Sequence, residues 1–118
     1  MISANDVLQA ISEIHQYSML LIELRNATTV VIRHSSDGMT SYFKLEGSLN
    51  SGERHALGKR MPKNGQLRNL RHISIEELIG EVDGQIAKHI WLEAVGGREH
   101  GFLSIAELKS FLRTSPQR

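Results

Sequence analysis

Residues 28–46 read TTVVIRHSSDGMTSYFKLE, and this stretch gives the clearest indication of the fold. Its first five residues are rich in β-branched side chains, which favour strands. The SSDG at 35–38 is typical of a turn, and apolar and charged residues then alternate in FKLE at 43–46. This pattern predicts two antiparallel strands joined as a β-hairpin. Because two strands alone are marginally stable in water, the hairpin needs a helix or a third strand packed against it.

Capping residues and hydrophobic periodicity predict helices on both sides of this hairpin. Ser3, followed by Asp6 three residues later, resembles a capping box. Apolar residues then recur near a 3.6-residue period, which predicts a helix from about Ala4 to the low twenties. SIEE at 74–77 and SIAE at 104–107 are further capping boxes that predict the starts of two more helices, the last of them running to about Leu112.

The segment that follows the second capping box has two interpretations. Apolar residues recur at a helical period through residues 75–94, which would give one long helix. However, Asp83-Gly84 is a turn dipeptide, and each glycine inside a helix costs about 1 kcal/mol relative to alanine. We favour a short helix that ends at Gly84, then a strand over 85–95 and a second short strand over 98–103.

These elements predict an α+β fold, in which residues 1–118 form one small domain with N- and C-terminal helices packed on a β-hairpin or short antiparallel sheet. A mostly helical fold with one hairpin is the alternative. Glycines and a proline are scattered through residues 47–73, which predicts an irregular basic connection. Within it we expect a short helix near 53–60 or, in preference, a mobile loop centred on 61–65. A frayed tail is expected at about 114–118.

Positive charge is concentrated in residues 54–73, which we call the basic segment. This segment has a net charge of +6 and no carboxylate, whereas residues 1–53 carry −3, residues 74–118 carry −2 and the whole chain carries +1. Its cations are Arg54, Lys59, Arg60, Lys63, Arg68 and Arg71. Such a concentration is typical of a surface that binds a phosphate-rich partner.

We therefore interpret the basic segment as the anionic-partner site of a non-enzymatic binding or regulatory module, with nucleic acid as the favoured partner. Its cations fall on no single helical face, so binding would be electrostatic and strongly dependent on salt. No aromatic residue lies between Phe43 and Trp91, which argues against stacking on single-stranded bases. A solvated loop that only keeps the protein soluble is the competing interpretation of the same residues.

Two other function classes remain open. In a protein–protein interaction or self-assembly domain, such as a homodimer, the surfaces around Glu77, Glu81 and Trp91 would meet a partner chain and the basic segment would be incidental. In a small enzyme, folding would bring one of the histidines to a carboxylate. The histidines are His15, His34, His55, His72, His89 and His100.

The sequence offers no catalytic motif, no cofactor fingerprint and no pair of histidines at metal-ligand spacing, so we expect no cofactor and assign no catalytic or metal-binding residue. The absence of cysteine excludes disulfides and thiolate chemistry. The N-terminus lacks the features of a signal peptide, and the longest apolar run, at 19–22, is too short to cross a membrane. A soluble, cytoplasmic protein without a membrane partner is expected.

Overall fold

The computed structural model describes residues 1–60, 67 and 69–114. Four helices and six strands lie within these described residues. In chain order they are α1 (Ala4–Glu13), β1 (Tyr17–Leu24), β2 (Thr28–His34), β3 (Thr40–Glu46), α2 (Ser51–Lys59), β4 (Arg71–Ile73), α3 (Ile75–Val82), β5 (Ala87–Ala94), β6 (Glu99–Phe102) and α4 (Ile105–Thr114).

The strands form one six-stranded antiparallel sheet in the order β4-β3-β2-β1-β5-β6. The predicted hairpin is its β2–β3 pair, in which Val31 lies opposite Phe43. The preferred interpretation of residues 85–95 is also confirmed, because β5 is a strand and pairs with β6 after the turn at Gly96 and Gly97. The predicted α+β class is confirmed, and the mostly helical alternative is wrong.

The first helix is shorter than predicted. It ends at Glu13, and the chain enters β1 at Tyr17 instead of continuing as a helix into the low twenties. β1 lies between β2 and β5, and its residues Leu20 and Leu21 are both fully buried although they point to opposite faces. A strand covered on both faces is continuously apolar, and hydrophobic periodicity cannot distinguish such a run from part of a buried helix.

The two faces of the sheet pack against different helices. On one side, which we call the three-helix face, α1, α3 and α4 pack on alternate residues of the strands. On the other side, the α2 face, Leu57 of α2 packs on the intervening residues. The strand residues of this second core are Met19, Leu21, Val31, Phe43 and Leu45. Each face thus has its own hydrophobic core, separated from the other by the sheet.

The helix starts follow the capping signals. Ser3 forms the predicted capping box with Asp6, and the hydroxyls of Ser74 and Ser104 accept hydrogen bonds from backbone amides at the starts of α3 and α4. α2 has a capping box that we did not predict: Asn50 Oδ1 accepts from Glu53 N at 2.8 Å, and the Glu53 carboxylate accepts from Asn50 N at 2.9 Å. These contacts satisfy amides that a helix start leaves unpaired.

The expectation of an irregular connection over 47–73 is partly wrong, because α2 occupies residues 51–59 and β4 occupies residues 71–73. The short helix considered near 53–60 is present and begins two residues earlier than expected. The loop expected at 61–65 and most of the tail expected at 114–118 lie outside the described residues. Thr114 itself is the last residue of α4.

Candidate functional site

The four described cations of the basic segment do not form one continuous surface. Arg54, Lys59 and Arg60 belong to α2 and its C-terminal end, whereas Arg71 belongs to the edge strand β4. Lys63 and Arg68 lie outside the described residues. The four described cations have different environments, which determine what each can bind.

Arg54 lies inside the fold and is only 8% exposed. Its Nε and Nη2 donate to the Glu99 carboxylate at 2.9 and 3.2 Å, and its Nη1 donates to the Leu49 carbonyl at 2.9 Å. The guanidinium also stacks 3.7 Å from the centre of the Trp91 ring. This geometry combines a bidentate ion pair with a cation–π contact, so the charge of Arg54 is compensated within the protein.

Trp91 is covered by two side chains. His89 stacks on its ring in a nearly parallel arrangement, with the ring centres 4.0 Å apart, and Arg54 approaches as described above. Gly101 lies opposite Trp91 on β6, where a β-carbon would come within 2.8 Å of the indole ring. The lack of a side chain at this position therefore lets the indole ring lie against the sheet.

Arg71 and the acidic face of α3 compensate each other. Arg71 Nη2 lies 2.7 Å from Glu77 Oε2, and Lys44 on β3 forms ion pairs with both Glu77 and Glu81. The two glutamates considered for contact with a partner chain are thus paired within the chain. Because these groups are partly exposed, the pairs contribute little to stability individually but reduce the net charge at this edge of the sheet.

Lys59 and Arg60 are both exposed and line a cavity of about 510 Å³ at the C-terminal end of α2. Three other basic side chains line the same cavity: His15, Arg33 and His34. We call these five residues and the space between them the cationic cavity. Of the described residues that line it, none is a carboxylate, and four carry hydroxyls: Tyr17, Ser18, Ser35 and Ser36.

The antiparallel topology explains why these residues meet. β1 begins at Tyr17 and its neighbour β2 ends at His34, so the loop before β1 and the end of β2 lie at the same end of the sheet. α2 ends over that same region, because Arg33 Nε donates a 2.9 Å hydrogen bond to the Leu57 carbonyl in its last turn. Residues far apart in sequence therefore converge on one cavity.

Arg33 is the most enclosed permanent cation of the cavity. Burial lowers the pKa of its guanidinium, and the nearby charge of Glu93 opposes that effect. Arginine remains protonated under such conditions because its ordinary pKa lies far above neutral pH. Its hydrogen bond to Leu57 uses Nε alone, so the two terminal nitrogens are not consumed by that contact.

His34 is a second enclosed group. Its Nδ1 lies 2.9 Å from Thr40 Oγ1, while its Nε2 is buried and has no hydrogen-bond partner among the described residues. The ring of His15 lies 6.2 Å away between centres. Burial lowers the pKa of His34, and the proximity of His15 lowers it further. Buried polar atoms are seldom left unpaired, so this nitrogen is an unsatisfied group in a residue that lines the cavity.

A buried carboxylate lies behind the cavity. Glu93 on β5 is 3% exposed, its Oε2 lies 3.4 Å from the Ser18 hydroxyl, and its Oε1 lies 3.5 Å from His55 Nδ1. Burial raises the pKa of the Glu93 carboxyl, His55 and Ser18 oppose the rise, and the charge of Glu99 adds to it. A β-carbon on Gly58 would overlap Glu93 Oε2, at 1.7 Å, so glycine allows α2 to pass this close.

Lys59 and Arg60 were among the predicted site residues, but Arg33, His15 and His34 were not predicted as their partners. It also missed Glu93, although the alternation of the predicted strand over 85–95 places Glu93 on the same face as Trp91. That alternation was the signal in the sequence that could have placed Glu93 beside Trp91. The remaining residues are brought together by strand order, which sequence spacing did not reveal.

Within the described residues, no cluster of three or more histidine, aspartate and glutamate side chains could hold a metal ion. The helices of the described part of the chain are all too short or too polar to cross a membrane. The sequence matches no family of known proteins and no curated protein, and the fold matches no solved structure. What the protein does must therefore be inferred from its own side chains.

Proposed function

We propose that the protein is a non-enzymatic binding module for an anionic partner, nucleic acid, and that the cationic cavity contacts the phosphates. One observation carries the proposal: five basic side chains from three separate parts of the chain converge on a single cavity, and none of its described lining residues is a carboxylate. Lys59 and Arg60 retain the role expected from the basic segment. Arg33, His15 and His34 join them, and Arg54 has a structural role.

The distribution of charge supports this assignment. The acidic residues near the other described cations of the basic segment are engaged in ion pairs with them, as in the Arg54–Glu99 and Arg71–Glu77 pairs. Lys59 and Arg60, by contrast, are exposed at the mouth of the cavity. Clefts lined by charges of one sign concentrate counter-ions and ligands of the opposite sign. An anionic partner would therefore be attracted to this end of the sheet.

The expected mode of binding is electrostatic. Tyr17, a described residue of the lining, is half-buried and packs against the three-helix core, and Trp91 is covered by Arg54 and His89. Neither offers an open ring for a base to stack on. Binding should then fall steeply with salt and show little preference for sequence.

Fluorescence anisotropy with labelled duplex DNA, single-stranded DNA and RNA at two salt concentrations tests the proposal. We expect Lys59→Ala/Arg60→Ala to weaken binding and to reduce the salt slope by about two, because two phosphate contacts are lost. Arg25→Ala/Lys88→Ala is the matched control, because it removes the same charge from exposed positions at the opposite end of the sheet. Absence of binding at low salt, or equal losses in both variants, would overturn the proposal.

A second candidate function rests on the contact between His55 and Glu93. His55 is 48% exposed, and its Nδ1 faces the buried carboxylate at 3.5 Å. A carboxylate that orients a histidine in this way is a common arrangement in general acid–base catalysis. Incubating the protein with the same nucleic acids tests it: cleavage that disappears in His55→Gln would indicate an enzyme, whereas intact nucleic acid would favour the binding module.

A further inference from the structure

We infer that the cationic cavity is built for a terminal phosphate, the monoester group found at the end of a nucleic-acid strand or on a free nucleotide, rather than for the diester backbone. This inference rests on the proposed function of the same cavity. It names the chemical group that the cavity recognises.

The shape of the charged surface favours a single, highly charged group. The cations converge around one hollow from the loop before β1, the end of β2 and the end of α2, instead of following a line. A diester backbone carries one negative charge on each of a row of phosphates, so it is matched by a row of cations. A hollow with converging cations is better matched to one phosphate that enters end-on.

The charge balance also fits a monoester. Arg33, Lys59 and Arg60 carry three permanent positive charges, and the charge of Glu93 behind the wall acts on Arg33. A phosphate monoester, with its charge of about −1.5 to −2 at neutral pH, compensates more of this positive charge than a diester does. A diester, with a single charge, would leave the cavity positive.

The hydrogen-bonding groups of the cavity also favour a phosphate monoester. A monoester presents three terminal oxygens, each a strong acceptor. The cavity offers the terminal nitrogens of Arg33, the ammonium of Lys59 and the guanidinium of Arg60, and the His34 side chain also lines it. The nearby Asp37 carboxylate is engaged by the Ser35 hydroxyl and the Met39 amide and is not part of the lining.

The cavity is larger than one phosphate needs. Its volume of about 510 Å³ lies within the range of sites that hold small organic ligands, which is about 300–1,000 Å³. The sugar and base attached to the phosphate could therefore enter with it. The terminal phosphate could belong to the end of a nucleic-acid strand or to a free nucleotide. The two experiments below distinguish these sources.

The test compares two oligonucleotides of identical sequence, one with a 5′-phosphate and one with a 5′-hydroxyl, by fluorescence anisotropy at one salt concentration. We expect the phosphorylated strand to bind at least about tenfold more tightly, because charge-assisted hydrogen bonds to the terminal oxygens are strong. Lys59→Ala/Arg60→Ala should abolish that preference, whereas Arg25→Ala/Lys88→Ala should retain it. Circular dichroism of each variant checks that it is folded.

A second arm uses AMP and adenosine in isothermal titration calorimetry. Binding of AMP but not of adenosine, without binding of either oligonucleotide, would support the terminal-phosphate site and overturn the nucleic-acid part of the proposed function. Equal binding of the two oligonucleotides would overturn the inference and leave the proposed function standing. No binding of any probe would overturn both.

Discussion

The two faces of the sheet are built from different kinds of residue. The core of the three-helix face is formed by aliphatic residues and Phe102, supplied by the strands and by α1, α3 and α4. On the α2 face, the apolar residues share the space with Arg54, Glu93 and the partly buried Arg33. Burying charge is expensive unless it is paired, and replacing such groups with apolar ones is often neutral or stabilising.

This difference indicates that the faces have separate roles. The three-helix face contributes most to stability, because it buries apolar area without a desolvation penalty for charged groups. The α2 face carries charged groups whose burial opposes folding, and of these groups Arg33 lines the cationic cavity and Glu93 lies behind it. Substitutions on the two faces therefore test whether the faces differ in this way.

The largest expected effect comes from Leu20 and Leu21, neighbours in β1 that are both fully buried on opposite faces. We expect each alanine variant to lose about 2–5 kcal/mol of unfolding free energy, with Leu20→Ala in the upper part of that range. The loss should be smaller for Leu21→Ala, because a single nine-residue helix covers that core and can adjust to the cavity more easily. Urea denaturation measures both, and a larger loss for Leu21→Ala would contradict the distinction.

The next effect separates two arginines of the basic segment. Arg54→Ala would leave Glu99 and the Leu49 carbonyl without their partner and uncover Trp91, at a cost of about 2–3 kcal/mol of unfolding free energy. Arg71→Ala removes the same charge from an exposed pair with Glu77 and should cost about 0–1 kcal/mol. Thermal and urea denaturation provide the comparison. If Arg54→Ala lost as little unfolding free energy as is expected for Arg71→Ala, Arg54 would not be a structural residue.

The smallest effect is a change in pH dependence at Glu93. Because burial raises its pKa in the folded protein above the ordinary value of 4.5, the folded state holds a proton that the unfolded state has already released. Its contribution to stability is complete below pH 4.5 and is lost as the pH rises through the raised pKa. In Glu93→Gln this part of the pH dependence should disappear.

Urea denaturation of the wild type and Glu93→Gln across pH 4 to 8 measures that difference. Because the pKa of His34 is lowered in the folded protein, His34 makes the protein more stable as pH rises. His34 is present in both proteins, so its contribution largely cancels in the comparison. The groups that face Glu93 are His55, Ser18, Glu99 and Arg33, and they are also unchanged. Parallel curves for the two proteins would show that Glu93 does not titrate in this range.

Local patterns predicted much of the fold. The hairpin at 28–46 has its strand residues and turn within one short stretch, and each serine cap acts on amides within the next four residues, so sequence alone was sufficient for them. The end of α1 was not predictable in this way. Whether residues 19–22 continue a helix or form a strand depends on β2 and β5 lying on either side of them.

The α+β class, the hairpin, the starts of α1, α3 and α4 and the concentration of positive charge in residues 54–73 could all be predicted from the sequence. Which charges are compensated could be seen only in the tertiary structure, because most of the partners are far apart in the sequence. Arg54 and Arg71 meet Glu99 and Glu77, while Lys59 and Arg60 meet Arg33 at a cavity. Capping and strand propensity act between residues that are a few positions apart in the sequence. Ion pairs and cavities depend instead on the distances between side chains, and these distances are set by how the chain packs.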